Sequence, residues 1–133
     1  MDLRSPTTAA LVLLLCGCNG TEAGLPAKYR EVAVPAAVLQ AQDARLRGRA
    51  LFLEHCALCH GEAADGHGVR RNLSSRPADF TDPLWLERTS ARRIFFVIRE
   101  GVQGTAMAGW KIFDEEQTWD LVAYVISVAG PAP

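Results

Sequence analysis

One pentapeptide limits this chain more than any other feature: Cys56-Ala57-Leu58-Cys59-His60. It sets two thiols three positions apart, with an imidazole directly after the second. Four chemistries compete for such a group. A thiol–disulfide centre would use His60 to lower a thiol pKa, but it expects a strand–helix–strand setting that the sequence lacks. A zinc site on Cys56, Cys59, His60 and His67 would be crowded and has no second C-x-x-C. A disulfide between Cys56 and Cys59 would close a very small loop and constrain little.

The fourth chemistry, a covalently attached c-type haem, accounts for the spacing. Each thiol can add to one of two vinyl groups, and the adjacent histidine is then held beneath the ring with a nitrogen toward iron. Iron also needs a sixth ligand or an open position. Once the initiator is removed, Met107 is the only methionine, 47 residues beyond His60 in the stretch E-G-V-Q-G-T-A-M-A-G-W. A thioether is a soft ligand, and His/Met ligation raises the potential relative to two histidines. The glycines around Met107 allow the backbone to wrap closely. His55 and His67 are the competing ligands. His55 is expected to point into solvent from its helix, and His67 to lie in a surface loop. The other reading of Met107 is a core gap-filler.

The N-terminus adds a compartment. Arg4 precedes an apolar run from Ala9 to Leu15, followed by Cys16-Gly17-Cys18. The run is shorter than the roughly 20 residues that span a bilayer, and suits the apolar region of a secretory signal. Leu15-Cys16-Gly17-Cys18 resembles a bacterial lipoprotein cleavage box. That reading makes residues 1–17 a signal peptide and Cys18 the lipidated first residue. It places the protein outside the cytoplasm, on the periplasmic side and anchored to a membrane. Residues 18–42, with Gly20, Gly24, Pro26 and Pro35, read as a lipid-anchored flexible tether.

Residues 43–130 then form the domain. Asp43 can cap a helix running to about His55, on which Gly48, Phe52 and Cys56 share a face. Pro83 starts a short helix behind Thr81-Asp82. Thr89 or Ser90 can cap another, stopped at Gly101. Asp114 with Gln117 forms a capping-box start for the last, which ends before Gly130-Pro131. No segment alternates convincingly, so the fold class is all-α, with four or so short helices. The connection from Gly61 to Thr81 is too long for a bare compact domain and needs something to pack against. The chain has 133 residues and a net charge of −1, which gives no general attraction to nucleic acid.

Over about Asp43 to Ala129 the sequence resembles the bacterial class I monohaem cytochromes c. The resemblance rests on G-R-A-L-F-L-E-H-C-A-L-C-H-G, R-P-A-D-F-T-D-P, I-R-E-G with A-M-A-G-W, and W-D-L-V-A-Y-V. It implies a small cytochrome c fold, with long loops wrapped around one covalent haem c. Its first and last helices would cross, Gly48 and Phe52 meeting Leu121 and Tyr124. It also implies that the Pro77 carbonyl accepts from the haem histidine's second nitrogen, and that Trp110 packs beside the haem. Many members carry proline after the methionine, where this chain has Ala108.

Together these residues favour a one-electron carrier working with redox partner proteins, respiratory complexes among them. It is not itself an enzyme, although it could be a subunit of an oxidoreductase. The competing reading is a haem sensor or haem enzyme in which Met107 dissociates. Twelve arginines stand against two lysines, and a solvated surface explains that bias better than a docking patch.

Overall fold

Local capping chemistry starts three of the helices. In the computed structural model, which describes residues 20–130, Asp82 accepts from the Leu84 amide ahead of Pro83. Ser90 accepts from the Arg93 amide. Asp114 and Gln117 close a complete capping box. The described residues hold a 3-10 turn at Gly20–Glu22 and seven α-helices: α1 (Ala27–Arg30), α2 (Ala36–Gln40), α3 (Gln42–His55), α4 (Ala57–His60), α5 (Pro83–Glu87), α6 (Ala91–Glu100) and α7 (Glu115–Val128). There is no strand among them; one isolated antiparallel bridge joins Gly101 and Ala108. The all-α expectation holds. The four expected helices are α3, α5, α6 and α7, while α1, α2 and α4 are single turns that carry little periodicity. Asp43 lies in the first turn of α3 rather than at its cap, which is Ala41.

Helices α3 and α7 make the principal crossing. Gly48 lies against the backbone of Asp120 and Leu121, so closely that a Cβ there would overlap the Asp120 carbonyl. Phe52, 1% exposed, meets Tyr124 with ring centroids 5.1 Å apart. Arg47 Nε and Nη2 donate to the two carboxylate oxygens of Asp120 at 2.7 and 2.8 Å. That two-pronged bond satisfies a carboxylate whose side chain is 3% exposed. Helix α6 packs onto α7 through Phe95, stacked on Trp119 at 4.5 Å.

Residues 20–42 correct the expectation of a flexible tether. Leu25 and Tyr29 are buried, and Val32, Val34, Val38 and Leu39 pack against the core. Tyr29 sets its ring edge on Phe96 and donates its hydroxyl to Glu100. Arg92 pairs with Glu22 at 2.9 Å and donates to the Val32 carbonyl at 2.8 Å. The glycines and prolines here break the segment into short pieces, but its apolar residues still find partners on α6 and α7. Residues 1–19, including the expected leader and Cys18, lie outside the described residues. Among the described residues no helix is long and apolar enough to cross a membrane.

Candidate functional site

Helix α3 ends at His55, and the chain bends at Cys56 into α4, the single turn that contains Cys59 and His60. The following connection folds back on that turn. The amides of Gly66, Gly68 and Arg70 donate to the carbonyls of His60, Cys59 and Leu58 at 2.8, 3.1 and 2.9 Å. The Phe80 amide then closes on Ala64 at 2.9 Å. The long connection is therefore an ordered wrap around the motif, ending where Phe80 stacks on the His60 ring at 4.8 Å and 18°.

A second ordered loop follows α6. Gly101 takes φ +77°, where a side chain would be strained and would press on the Met107–Ala108 backbone. The Val102 amide donates to the Met107 carbonyl at 2.9 Å, and the Met107 amide donates to Thr105 Oγ1 at 3.1 Å. The Trp110 amide is tied to the Ile98 carbonyl at 2.8 Å. Met107 is thus seated in a closed turn, half-buried.

These pieces enclose one cavity of about 650 Å³. Cys56, Cys59, His60, Met107, Pro77 and Trp110 all line it, together with Phe52, Phe80, Trp85 and Ile98. Its size and mostly apolar wall are those of a site for a large ligand. Every residue expected at the site, Cys18 apart, reaches this space.

Two assignments change. The carbonyl facing His60 Nδ1 belongs to Ala78, at 3.2 Å, and not to Pro77. Pro77 still lines the wall, but its neighbour makes the bond. A carbonyl can only accept, so Nδ1 carries the proton and Nε2 keeps its lone pair for a metal. His55 does not point into solvent. Its ring lies 5.4 Å from Trp110 and 5.1 Å from Phe113, and it too lines the cavity. The last turn of α3 is covered by the loop after α6, a contact that helix periodicity does not reveal. His67 is exposed, as expected, and accepts from Arg76 at 2.8 Å.

Burial tunes the titratable groups. It lowers the His60 pKa, against the opposing bond to Ala78, so the imidazole is neutral at physiological pH. Burial, and then Cys59, push the Cys56 thiol up to about 12. A poised redox thiol needs the opposite shift, which weakens the thiol–disulfide alternative. Among the described residues no three His, Cys, Asp or Glu side chains cluster as a metal site, so the zinc alternative has no support.

The residues therefore fit a haem: two thiols and an imidazole with a free Nε2 on one wall, a thioether in a separate loop, and apolar space between. Residues 43–125 match the family described as cytochrome C oxidase, cbb3-type, subunit III. The chain belongs to that family. Its cytochrome c domain implies haem c and an electron-transfer role. The fold is also similar to a chain of the Kuenenia stuttgartiensis reducing HAO-like protein complex, at TM-score 0.57 and 25% identity. That likeness covers 73% of this chain but 45% of the other, so this cytochrome spans less than half of that chain's length. No curated protein matches the chain. Sequence reasoning about this cytochrome missed Ala78, Phe80 and His55. Only the R-P-A-D-F element, which contains the first two, carried a signal.

Proposed function

We propose that this cytochrome is a one-electron carrier with a single haem held by thioethers to Cys56 and Cys59. His60 and Met107 would hold its iron. The observation that carries the reading is the convergence of these four side chains on one cavity, three from the α3–α4 corner and one from the ordered loop after α6. The bound haem supplies the one-electron ferrous–ferric couple. The chain does the rest: Ala78 fixes the His60 tautomer, Phe80 holds the ring plane, and Gly101 closes the turn that presents Met107. Lipidation at Cys18 anchors the protein on the periplasmic side of a membrane, where membrane respiratory complexes are its partners.

A pyridine haemochrome assay on protein matured in a host competent for c-haem should give one haem per chain. A negative result sinks the proposal. Met107→Ala should lower the potential and create a high-spin fraction; an unchanged spectrum removes Met107 as a ligand. Fatty-acid labelling should be lost in Cys18→Ser, and labelling that persists would refute the anchor.

A sensor or enzyme remains the second reading, because Met107 also lines an open groove of about 580 Å³ beside Gly101 and Thr105. Ready binding of carbon monoxide to the ferrous wild type would favour it.

A further inference from the structure

The cavity wall has a one-sided charge. Arg70, Arg76 and Arg93 line it, and no aspartate or glutamate does. Arg76 is spent in part on His67, and Arg70 is exposed on the loop. Arg93 differs from both. It sits in the first turn of α6, half-buried, and lines both the main cavity and the groove beside Met107.

Its guanidinium is bonded by the N-terminal arm. Nε donates to the Thr21 carbonyl at 3.4 Å, and Nη2 donates to the Ala23 carbonyl. Both acceptors belong to the N-terminal arm, upstream of the matched region 43–125. Buried Leu25, the Tyr29–Phe96 contact and the Glu22–Arg92 pair fix that arm on α6. The arm's bonds use neutral carbonyls, so they orient the Arg93 charge without cancelling it.

We propose that Arg93 is a positioning charge for the anionic edge of the cofactor, and that the N-terminal arm holds it there. The arm thereby helps set the reduction potential. This rests on the proposal that haem occupies the cavity, whose carboxylates are the anionic groups in question. A fixed cation near the ring favours the reduced state, because reduction adds negative charge. Freed into solvent, the same cation is screened and counts for less.

The test uses the full-length holoprotein, titrated against a redox dye of fixed potential, with hydrogen exchange read over residues 20–40. Arg93→Gln is expected to lower the equilibrium constant for reduction about fivefold, the scale of one partly screened charge. Arg93→Lys keeps the charge and should retain most of that constant. Leu25→Asp, which leaves Arg93 intact, should open the arm and reproduce more than half of the Arg93→Gln effect. The double variant should add little to Arg93→Gln.

An unchanged constant in Arg93→Gln with a normal haem spectrum overturns the role of Arg93. An opened arm with an unchanged constant in Leu25→Asp overturns the role of the arm. Should Arg93→Gln not fold, Leu25→Asp and Arg93→Lys decide the matter. Wild-type protein that takes up no haem refutes the proposed function, and this inference with it; a bound haem with an indifferent potential refutes this inference alone.

Discussion

The α3–α7 crossing and the wall of the cavity are built in opposite ways. At the crossing, two helices touch directly: Gly48 admits the Asp120 carbonyl, and Arg47 closes on the Asp120 carboxylate. At the wall, residues 61–82 and 101–114 surround space instead of filling it. Protein atoms alone complete the first region, so its stability belongs to the chain. The second is hydrogen-bonded to itself and packs Phe80 and Phe113 against the helices, while its cavity-facing side chains shape a site for a large ligand. One fold thus joins a clasp closed by its own side chains to a pocket shaped for a large ligand.

Withholding haem should separate the two regions most sharply. Amides of α3 and α7 should stay protected from hydrogen exchange, while those of 61–82 and 101–114 exchange far faster than in the loaded protein. Equal loss of protection in both regions would end the distinction.

Within the clasp, Gly48→Ala has the largest expected effect on stability. Its Cβ would meet backbone, which cannot rotate away as a side chain can, and the crossing must open. A loss of about 3 kcal/mol in denaturant unfolding is expected, despite alanine's better helix propensity. An unchanged midpoint would mean that the crossing is looser than described.

Arg47→Ala comes next. It leaves the Asp120 carboxylate buried without its partner. Because Arg47 is itself 49% exposed, water can recover part of the pairing. The expected cost is smaller than that of Gly48→Ala, read by the same denaturant unfolding. Asp114→Ala removes only a cap and should cost about 1 kcal/mol by the same measurement.

The smallest effect is a pH dependence of the arm. The Tyr29 hydroxyl first, then Lys111, hold the Glu100 carboxyl down to about 2, against an ordinary 4.5. A lowered carboxyl stabilises above its ordinary value, and the contribution fades as pH falls from 4.5 toward 2. Burial and then Glu100 push Tyr29 from 10.0 up to about 12, so on the alkaline side the contribution fades between those values. Exchange of the arm's amides should rise at both limits, and Glu100→Gln should abolish the acid limb. A flat profile in the wild type would show that the Tyr29–Glu100 bond does not hold the arm.

Legibility in the sequence followed the range of the interaction. The caps of α5, α6 and α7 were readable because each is settled within four residues of its own chain. The thiols, His60 and Met107 were readable as candidates because their chemistry is carried by residue type and spacing. His55 was misread for the converse reason: its neighbours Trp110 and Phe113 arrive from a loop more than fifty positions away. The arm was misread because glycine and proline describe how a segment bends, not whether α6 offers it a surface. The Pro77 assignment failed by one residue, which is enough to turn a carbonyl to another side of the chain.

Residue type and local spacing settle the reactive group, the helical class and the helix ends, since these depend on bonded neighbours and local hydrogen bonds. Folding settles which carbonyl faces His60, which carboxylate Arg47 closes on, and that the arm belongs to the domain. Each of those pairs residues far apart in the chain, and no local pattern records a partner that folding alone brings near.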